Sequence, residues 1–505
     1  MINNFLYSYS KLDNWEYITI KDLIMRWRYI LCFVGILSIF LGLTMIIPLI
    51  CSFISQDNTS RPILIAAAIT ETVGLLLYYG FRFQENDHIS PREGIAIVAM
   101  GWIAAGFFSA LPFYFGHAFD TFTDSFFESV SGITTTGASV MTNIEAVPSS
   151  LLLWRSFIQW LGGMGIIVLS LAILPLLGVG GMQMYKAEVP SPVPDKLKPR
   201  IRDTSMILWK VYAGITLAEV FFLLFGGMSL FDALNHAFTT MPTGGFSTMN
   251  ASVAAYDSVY IETVITIFML LAGINFSLHY QALIGKPITF WKDSECRFFI
   301  SFVLILIIIV TINIYPIYES IGQAFRYASF QVVSIVTTTG YGSADYELWP
   351  SMTQIILLLS MFIGASAGST GGGMKCLRIM ICFKYCYKEL ISLIHPRAVS
   401  QIKVNHKPVS SEVVSSVLGF LGLFVGLFAI SSVLLASLGV DLVTSFSAVA
   451  SAIGNIGPGL GSVGPTDNYA SLPALGKWLL VWCMLLGRLE IYTIIILILP
   501  EFWRK

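Results

Sequence analysis

Charged residues are scarce in this sequence. Only 12% of its 505 residues are Asp, Glu, Lys or Arg, whereas 55% are hydrophobic, and the mean hydropathy is +0.75. A soluble domain carries about 25% charged residues. The net charge is −1 and there is no basic stripe, so nothing predicts a nucleic-acid partner. We therefore expect a polytopic membrane protein whose core is a bilayer-embedded bundle.

Cysteine and histidine are also used sparingly. The seven cysteines contain no C-x-x-C pair, and the six histidines are scattered without the spacing of metal ligands. Isolated cysteines in apolar segments are typical buried small residues. The sequence thus predicts no disulfide framework, no bound metal cofactor and no nucleophile–base constellation of an enzyme.

The apolar segments predict an all-α fold with ten transmembrane helices, since a span takes about 20 residues. They are Tyr29–Phe53, Ile63–Phe81, Gly94–Gly116, Leu151–Leu177, Ile207–Phe225, Val259–Ile284, Phe298–Ile317, Gln354–Cys386 (interrupted), Val413–Leu438 and Leu475–Leu499. Four shorter stretches suit re-entrant half-helices: Asp120–Thr136, Leu230–Thr243, Gly322–Thr339 and Leu442–Ile456. The order predicts four repeats of span, half-helix, loop and span around one pore, after two extra N-terminal helices.

The predicted boundaries follow this repeat. Residues 1–28 are a cytoplasmic segment without the apolar core of a signal peptide, and residues 29–90 hold the two extra helices. Pore repeats 1 to 4 occupy residues 91–200, 201–292, 293–405 and 406–505. Lys and Arg cluster before the first span and after each even-numbered one, which places both termini in the cytoplasm. The outer side then carries an acidic, cation-concentrating mouth: Asp120, Asp124, Glu128, Asp232, Asp257, Asp345, Glu347, Asp441 and Asp467.

A glycine recurs at the same place after each of the four short stretches. The four loops are Thr135-Thr136-Gly137, Thr243-Gly244-Gly245, Thr338-Thr339-Gly340 and Asn455-Ile456-Gly457. Six residues before each final glycine there is a hydroxyl: Ser131, Thr239, Ser334 and Ser451. The third loop continues as T-T-G-Y-G, one substitution from the T-V-G-Y-G filter whose backbone carbonyls replace the hydration shell of potassium. We predict a four-loop carbonyl filter. Glycines that only let helices pack closely would not need this register.

A second glycine cluster interrupts the eighth predicted span. It comprises Gly364, Gly368, Gly371, Gly372 and Gly373. Each glycine costs a helix about 1 kcal/mol relative to alanine, so this segment should be unwound. It lacks G-K-[ST] and a preceding strand, which argues against a nucleotide site. We predict a flexible gate just inside the filter; the alternative is a kink or a close helix crossing.

Two of the charged residues within predicted spans, Arg488 and Glu71, are candidates for special roles, because a charge inside the membrane is a functional hypothesis by default. For Arg488 in the last span we predict a contact with free carbonyls of the unwound segment 364–373, which would hold the gate closed. The alternatives are a pair with Glu490 or snorkelling to the interface. Glu71 in the second span is interpreted as a structural hydrogen-bonding group.

With these motifs the chain resembles the Trk/Ktr/HKT superfamily of potassium uptake proteins, most closely its bacterial TrkH/TrkG branch. The resemblance rests on the filter glycines, Trp160-Leu161-Gly162-Gly163-Met164-Gly165, the interrupted eighth span and Arg488. It implies potassium as substrate, no covalent cofactor, a homodimer with one pore in each subunit, a cytosolic TrkA-type nucleotide-binding ring and a place in the bacterial inner membrane. Asn455 and Gly244 depart from the threonine expected at their positions, so the four loops are not chemically identical.

Two other functions stay open. One is a sodium-coupled or sodium-carrying transporter of the same superfamily, because filter architecture does not determine ion coupling. The other is a secondary transporter with broken helices and inverted repeats. The predicted loops all lie on one side of the membrane, which opposes inversion.

Overall fold

The computed structural model describes residues 25–82, 90–172, 201–396 and 401–503. Most of the predicted N-terminal segment, residues 1–24, lies outside the described residues. The same holds for much of the basic sequence used for orientation, namely residues 173–200, Arg397, Arg504 and Lys505. The described residues are predominantly helical, as the sequence predicts.

The first half of the chain contains eight helices within its described residues. In chain order they are α1 (Trp27–Thr44), α2 (Ile46–Ser55), α3 (Ser60–Gly80), α4 (Pro91–Phe115), α5 (Phe122–Ile133), α6 (Ser149–Ala172), α7 (Ile201–Phe225) and α8 (Leu230–Thr240).

The second half continues with twelve helices and one hairpin within its described residues. They are α9 (Val259–Gly273), α10 (Phe276–Leu283), α11 (Thr289–Lys292), α12 (Ser294–Ile314), α13 (Ile321–Val336), α14 (Ser351–Ile363), α15 (Cys376–Ile394), β1 (Lys403–Val404), β2 (Lys407–Pro408), α16 (Ser411–Ser437), α17 (Leu442–Gly454), α18 (Ala474–Arg488), α19 (Tyr492–Ile498) and α20 (Pro500–Trp503). Short 3₁₀ turns lie between several of these helices.

The four predicted half-helices are present as α5, α8, α13 and α17. Each begins at a side chain that accepts a backbone N–H of the first turn, which satisfies a donor that the helix itself leaves free. These caps are Thr121, Ser229, Ser320 and Asp441. Each half-helix begins within two residues of its predicted start, whereas it ends two or three residues before its predicted end.

Six helices of the described residues are long and apolar enough to cross a bilayer, or seven if one bent pair counts as a single span. They lie at Trp27–Ser55, Ser60–Gly80, Arg92–Phe115, Ser205–Phe225, Ser294–Ile317 and Ser411–Ser437. These apolar helices fit a multi-pass membrane protein. The count of ten spans stays a prediction.

Among the described residues, the sixth, eighth and tenth predicted spans are broken, and the sequence located one of these breaks. The interruption of the eighth is confirmed, because α14 ends at Ile363 and α15 begins at Cys376. The prediction of a continuous sixth span is wrong, since α9 and α10 meet at an angle of 103°. The continuous tenth span is also wrong: α18 ends at Arg488 and Glu490 adopts a left-handed φ of 54°. Residues at both unpredicted breaks contact the glycine-rich segment: Asn275 in the sixth span and Arg488 in the tenth. These contacts join parts of the chain that are distant in sequence, and they offset the helix hydrogen bonds lost at the breaks.

One small antiparallel hairpin departs from the all-α expectation. Lys403 pairs with Pro408 and Val404 with Lys407. Asn405 in its turn accepts the backbone N–H of Ser294 at 2.7 Å and donates to Asp293 at 2.8 Å. The turn is therefore held against the first residues of α12, a contact that local sequence pattern does not reveal.

Candidate functional site

The backbone of the four loops follows one pattern. The residue two places before each glycine is left-handed, with φ of 53° at Thr135, 58° at Thr243, 62° at Thr338 and 54° at Asn455. The glycines themselves have φ between 72° and 109°. A left-handed conformation is unusual for β-branched threonine and persists where surrounding structure imposes it. The sequence did not predict this strain.

The amide groups of the loops turn back toward the half-helices. In each loop the residue before the glycine donates its N–H to the carbonyl of the hydroxyl residue found in the sequence. The pairs are Thr136 to Ser131, Gly244 to Thr239, Thr339 to Ser334, all at 2.8 Å, and Ile456 to Ser451 at 3.0 Å. The hydroxyl register is thus a real structural equivalence, and it directs the amide groups away from the neighbouring loops.

The four loops meet in a closed ring. A Cβ built on each glycine would collide with a carbonyl oxygen of a neighbouring loop. The contacts run from Gly137 to Gly244, Gly245 to Thr339, Gly340 to Ile456 and Gly457 to Thr136. The structure therefore brings the four predicted loops together, and it explains the glycines because no side chain fits there.

The ring is suited to a cation. Backbone carbonyl oxygens can replace the water of a monovalent ion. The half-helices end at the loops, so the partly negative C-terminal ends of their dipoles lie beside the ring. The loop amides that precede the glycines are hydrogen-bonded to half-helix carbonyls, so they do not compete with a cation for the carbonyl oxygens of the ring.

Side chains also join neighbouring loops. Asn455 donates to the Thr136 hydroxyl at 3.0 Å and to the Met484 carbonyl at 2.9 Å, which ties loop 4 to loop 1. The Tyr341 hydroxyl lies 2.5 Å from the Thr239 hydroxyl, which ties loop 3 to α8. Asparagine tolerates a left-handed φ better than threonine does, so its departure from the loop pattern fits both the backbone and the contact.

The glycine-rich segment, residues 364–373, lies against three of the loops. Thr370 donates to the Met241 carbonyl at 2.8 Å, and Gly372 donates its N–H to the Thr338 hydroxyl at 2.7 Å. A Cβ on Gly372 would meet the Gly454 carbonyl. The segment therefore contacts the ends of α8, α13 and α17, with no room for side chains at its glycines.

Arg488 contacts this segment, as the sequence predicts. It is 3% exposed and donates to the Thr370 carbonyl at 2.7 Å and to the Gly162 carbonyl at 3.2 Å. The alternative pair with Glu490 is wrong, because Glu490 forms its ion pair with Arg378. Arg488 thus bridges the glycine-rich segment and the Trp160–Gly165 motif.

Sequence reasoning missed a second cation at the segment. The Lys375 ammonium donates to the Gly371 carbonyl, so adjacent carbonyls, those of Thr370 and Gly371, each receive a cationic donor. Lys375 has a left-handed φ of 71° and immediately precedes α15. A lysine two residues after a glycine run inside a predicted span was the available signal.

The other face of the segment is attached to the breaks and ends of neighbouring spans. Asn275, at the bend between α9 and α10, donates to the Ala367 carbonyl at 2.6 Å. The N–H of Ala367 donates to Glu295 of α12 at 2.6 Å. These contacts give the unpredicted bend of the sixth span a physical reason, since it supplies polar partners to unwound backbone.

The prediction of an acidic mouth needs correction, because three of its acids pair with cations: Asp124 with Lys477 at 2.6 Å, Asp257 with Arg326 at 3.4 Å, and Glu128 with Arg155. Glu128 is fully buried and accepts the Nε of Arg155 at 2.6 Å. Arg155 also donates to the Ser247 carbonyl at 3.0 Å, and Glu128 accepts the N–H of Val140 at 2.9 Å, so the pair joins the outgoing chains of loops 1 and 2. Glu128 is structural and does not contribute an exposed charge.

Glu347 lies in the chain that follows loop 3, next to the chain that follows loop 4. Its carboxylate accepts the N–H of Gly461. Burial raises the pKa of Glu347 above the ordinary 4.5, the Gly461 hydrogen bond opposes this rise, and the charges of Asp345 and Asp467 add to it. Glu347 therefore takes up a proton at a higher pH than an ordinary glutamate.

One carboxylate oxygen of Glu71 does not form the structural hydrogen bond that the sequence predicts. A Cβ on Gly42 of α1 would meet the Glu71 carboxylate, so the side chain packs into that groove. Its Oε1 has no hydrogen-bond partner among the described residues.

Comparison with known proteins gives one consistent family. A family model described as "TrkH: Cation transport protein" matches residues 60–505. The Trk system potassium uptake protein TrkH of Salmonella typhimurium is 42% identical, covering 95% of this chain and 100% of its own length. The Trk system potassium uptake protein TrkG of Escherichia coli is 37% identical over 93% of this chain and 97% of its own.

A solved structure agrees with the sequence relatives. The crystal structure of the potassium transporter TrkH from Vibrio parahaemolyticus matches with a TM-score of 0.88 and 37% identity, covering 95% of this chain and 100% of that one. On the family match and these identities, this chain belongs to the TrkH family of cation transport proteins, within the Trk/Ktr/HKT superfamily.

Proposed function

We propose that this protein takes up potassium across the bacterial inner membrane through the ring formed by its four glycine loops. The closed ring of four loops carries the proposal, because backbone carbonyl oxygens contributed by one chain can replace the hydration shell of a potassium ion. The names of the relatives, potassium uptake proteins of the Trk system, support it. The proposal includes ten spans, four repeats of one orientation and both termini in the cytoplasm.

In this proposal, potassium enters from the acidic outer side, where negative charge raises the local cation concentration. It exchanges water for the carbonyl oxygens of Thr136, Gly244, Thr339 and Ile456 and of the adjoining loop residues, so it acts as substrate and no cofactor takes part. The ion then passes residues 364–373, which act as the gate, with Arg488 holding them closed.

Ion flux into liposomes that contain this protein alone tests the function. We expect entry of potassium and rubidium well above protein-free liposomes, and much slower entry of sodium. Equal rates for sodium and potassium, or rates no higher than in protein-free liposomes, would contradict a potassium-selective ring. Repeating the assay with sodium on either side separates the sodium-coupled alternative, which requires potassium entry to depend on a sodium gradient.

The bent sixth and tenth spans favour a second candidate. Broken helices that line a binding site are typical of secondary transporters. Such a mechanism is saturable and slow, because each ion requires a conformational cycle, whereas a filter conducts in proportion to the driving force. Single-protein current recordings decide between them, and we expect measurable unitary currents.

The gate predicts that deleting Gly368–Gly373 raises basal flux. The deletion removes Thr370 and the backbone that lies against the loops, together with the carbonyls that Arg488 and Lys375 contact. The measurement is potassium flux per correctly inserted molecule, with insertion monitored by size-exclusion profile. A folded deletion protein that conducts no faster than the original would argue against a gate.

External acid should reduce uptake through Glu347. Because its pKa is raised above the ordinary 4.5, it becomes neutral at a higher external pH than an ordinary glutamate, and the mouth then loses one negative charge. We expect Glu347→Gln to lower uptake at pH 7 and to flatten this part of the pH profile. Glu319→Gln, a change at an exposed carboxylate next to α13, is the control; a similar flattening there would contradict the assignment.

We further propose a homodimer with one pore in each subunit, controlled by a TrkA-type cytosolic nucleotide-binding ring. The names of the relatives as parts of a Trk system support a multicomponent assembly. Mass measurement of the purified complex in detergent tests the dimer, and co-purification with the ring protein tests the partnership. A monomeric particle that conducts with unchanged regulation would contradict both.

A further inference from the structure

Loop 2 lacks the internal hydroxyl pair of loops 1 and 3. In loop 1 the hydroxyls of Thr134 and Thr136 lie 2.8 Å apart, and in loop 3 those of Thr337 and Thr339 also lie 2.8 Å apart. At the corresponding places loop 2 has Pro242 and Gly244, neither of which carries a hydroxyl. Loop 4 also lacks the pair, since it has Gly454 and Ile456 at these places, but its Asn455 amide bonds to Thr136 and Met484. Loop 2 has no such residue of its own.

The side chain of Gln159, on α6, takes this role. Its Nε2 donates to the Gly244 carbonyl at 2.8 Å, and its Oε1 accepts the N–H of Phe246 at 3.3 Å. Gln159 has 0% exposure, so solvent does not compete for these bonds. One amide thus spans loop 2 on both sides of Gly245.

The fit is reciprocal. A Cβ on Gly244 would collide with the carboxamide carbon, oxygen and nitrogen of Gln159. Because Gly244, which departs from the loop pattern, has no side chain, it leaves the space that the Gln159 side chain occupies. A threonine at this position would expel the amide.

Packing identifies the residue that corresponds to Gln159 in the next repeats. A Cβ on Gly163 would meet Pro242, and a Cβ on Gly273 would meet Thr337. Pro242 lies three residues before the glycine of loop 2, and Thr337 lies three residues before the glycine of loop 3, so Gly163 and Gly273 occupy equivalent places. Four residues before Gly273 lies Met269, as Gln159 lies four before Gly163.

The same comparison reaches the fourth repeat. A Cβ on Gly162 would meet the Ile133 carbonyl, and one on Gly487 would meet the Ile453 carbonyl, each four residues before the glycine of its own loop. The residue three before Gly487 is Met484, as Gln159 is three before Gly162. Of these three aligned positions, only the one beside loop 2 carries a hydrogen-bonding side chain.

We propose that Gln159 is a specificity-determining residue of the ring. The inference rests on the proposed function. The Gln159 amide holds back the Gly244 carbonyl, one of the four oxygens that face a neighbouring loop. A sodium ion is smaller than potassium and requires the oxygens to move inward, so a carbonyl fixed by a donor resists it. The amide N–H also draws electron density from the Gly244 oxygen. This weakens the electric field of that oxygen at the ion and favours potassium, which loses its water more easily than sodium.

The test compares Gln159→Met with the original protein in liposomes. Methionine is the residue of the aligned positions, keeps the length of the side chain and removes both hydrogen bonds. We expect sodium entry relative to potassium to rise roughly tenfold, a change of about 1.4 kcal/mol, with potassium entry itself changed less than threefold. Gln159→Glu, which keeps the shape and replaces the donor by an acceptor, should have a similar effect.

Gln354→Met is the matched control. Its amide also donates to carbonyls, those of Glu347 and Trp349, but outside the ring, so the ion ratio should not change. An unchanged ratio in folded Gln159→Met and Gln159→Glu overturns the inference. If neither inserts, Gly244→Ala displaces the amide without altering α6, and the same two outcomes apply. A nonselective original protein would instead refute the proposed function, so the two failures are distinguishable.

Discussion

Arg488→Ala should raise potassium flux severalfold and reduce its dependence on any cytosolic regulator. Arg488 holds the Thr370 carbonyl of the glycine-rich segment on one side and the Gly162 carbonyl of α6 on the other. A guanidinium in a protein keeps its charge, so it adds an electrostatic barrier to cations as well as a mechanical link. Removing it releases the segment and lowers the barrier together.

Two further substitutions separate charge from volume. Arg488→Met fills most of the space without the charge or the hydrogen bonds and should conduct as freely as Arg488→Ala. Arg488→Lys keeps the charge and should conduct little more than the original protein. Flux per inserted molecule is the measurement, and equal or lower flux in both the alanine and methionine variants would defeat the gating role.

Gly137→Ser should greatly weaken discrimination against sodium. Gly137 has a φ of 83°, and a Cβ there would collide with the Gly244 carbonyl oxygen. The backbone of loop 1 or loop 2 must then move, which changes the positions of ring oxygens on which selectivity depends. We expect the potassium-to-sodium ratio to fall by roughly tenfold or more, equivalent to at least about 1.4 kcal/mol.

Gly227→Ser controls for backbone strain alone. Gly227 lies just after the end of α7 and has a similar φ of 86°, and a Cβ there would meet no atom within 4 Å. Its substitution should cost stability without altering the ion ratio. An unchanged ratio in Gly137→Ser would remove Gly137 from the filter.

Local pattern predicted those features that depend on periodicity and composition. Apolar length located α5, α8, α13 and α17, and glycine density located the break after Ile363. The hydroxyls six residues before the loop glycines were recognised from spacing alone, and their carbonyls proved to accept the loop amides. The contact of Arg488 followed from a general requirement, since a buried charge needs acceptors and unwound backbone supplies them.

The missed features depend on contacts between distant parts of the chain. Nothing near Gln159 in sequence indicates that its amide fits the space at Gly244, 85 residues away. The sequence likewise predicted an exposed charge at Glu128, whose pairing with Arg155 arises only in the assembled fold. Threonine at Thr135 opposes the left-handed backbone that it adopts, so propensity pointed away from the observed structure there.

The most direct test of the four-loop ring is anomalous diffraction from crystals grown in rubidium or thallium, both of which replace potassium. We expect a peak within the ring, at coordination distance from the carbonyl oxygens of Thr136, Gly244, Thr339 and Ile456 or of the loop residues adjoining them. The peak should weaken when sodium replaces the heavier ion. Peaks confined to other sites, with none among the four loops of a well-diffracting crystal, would contradict the central claim.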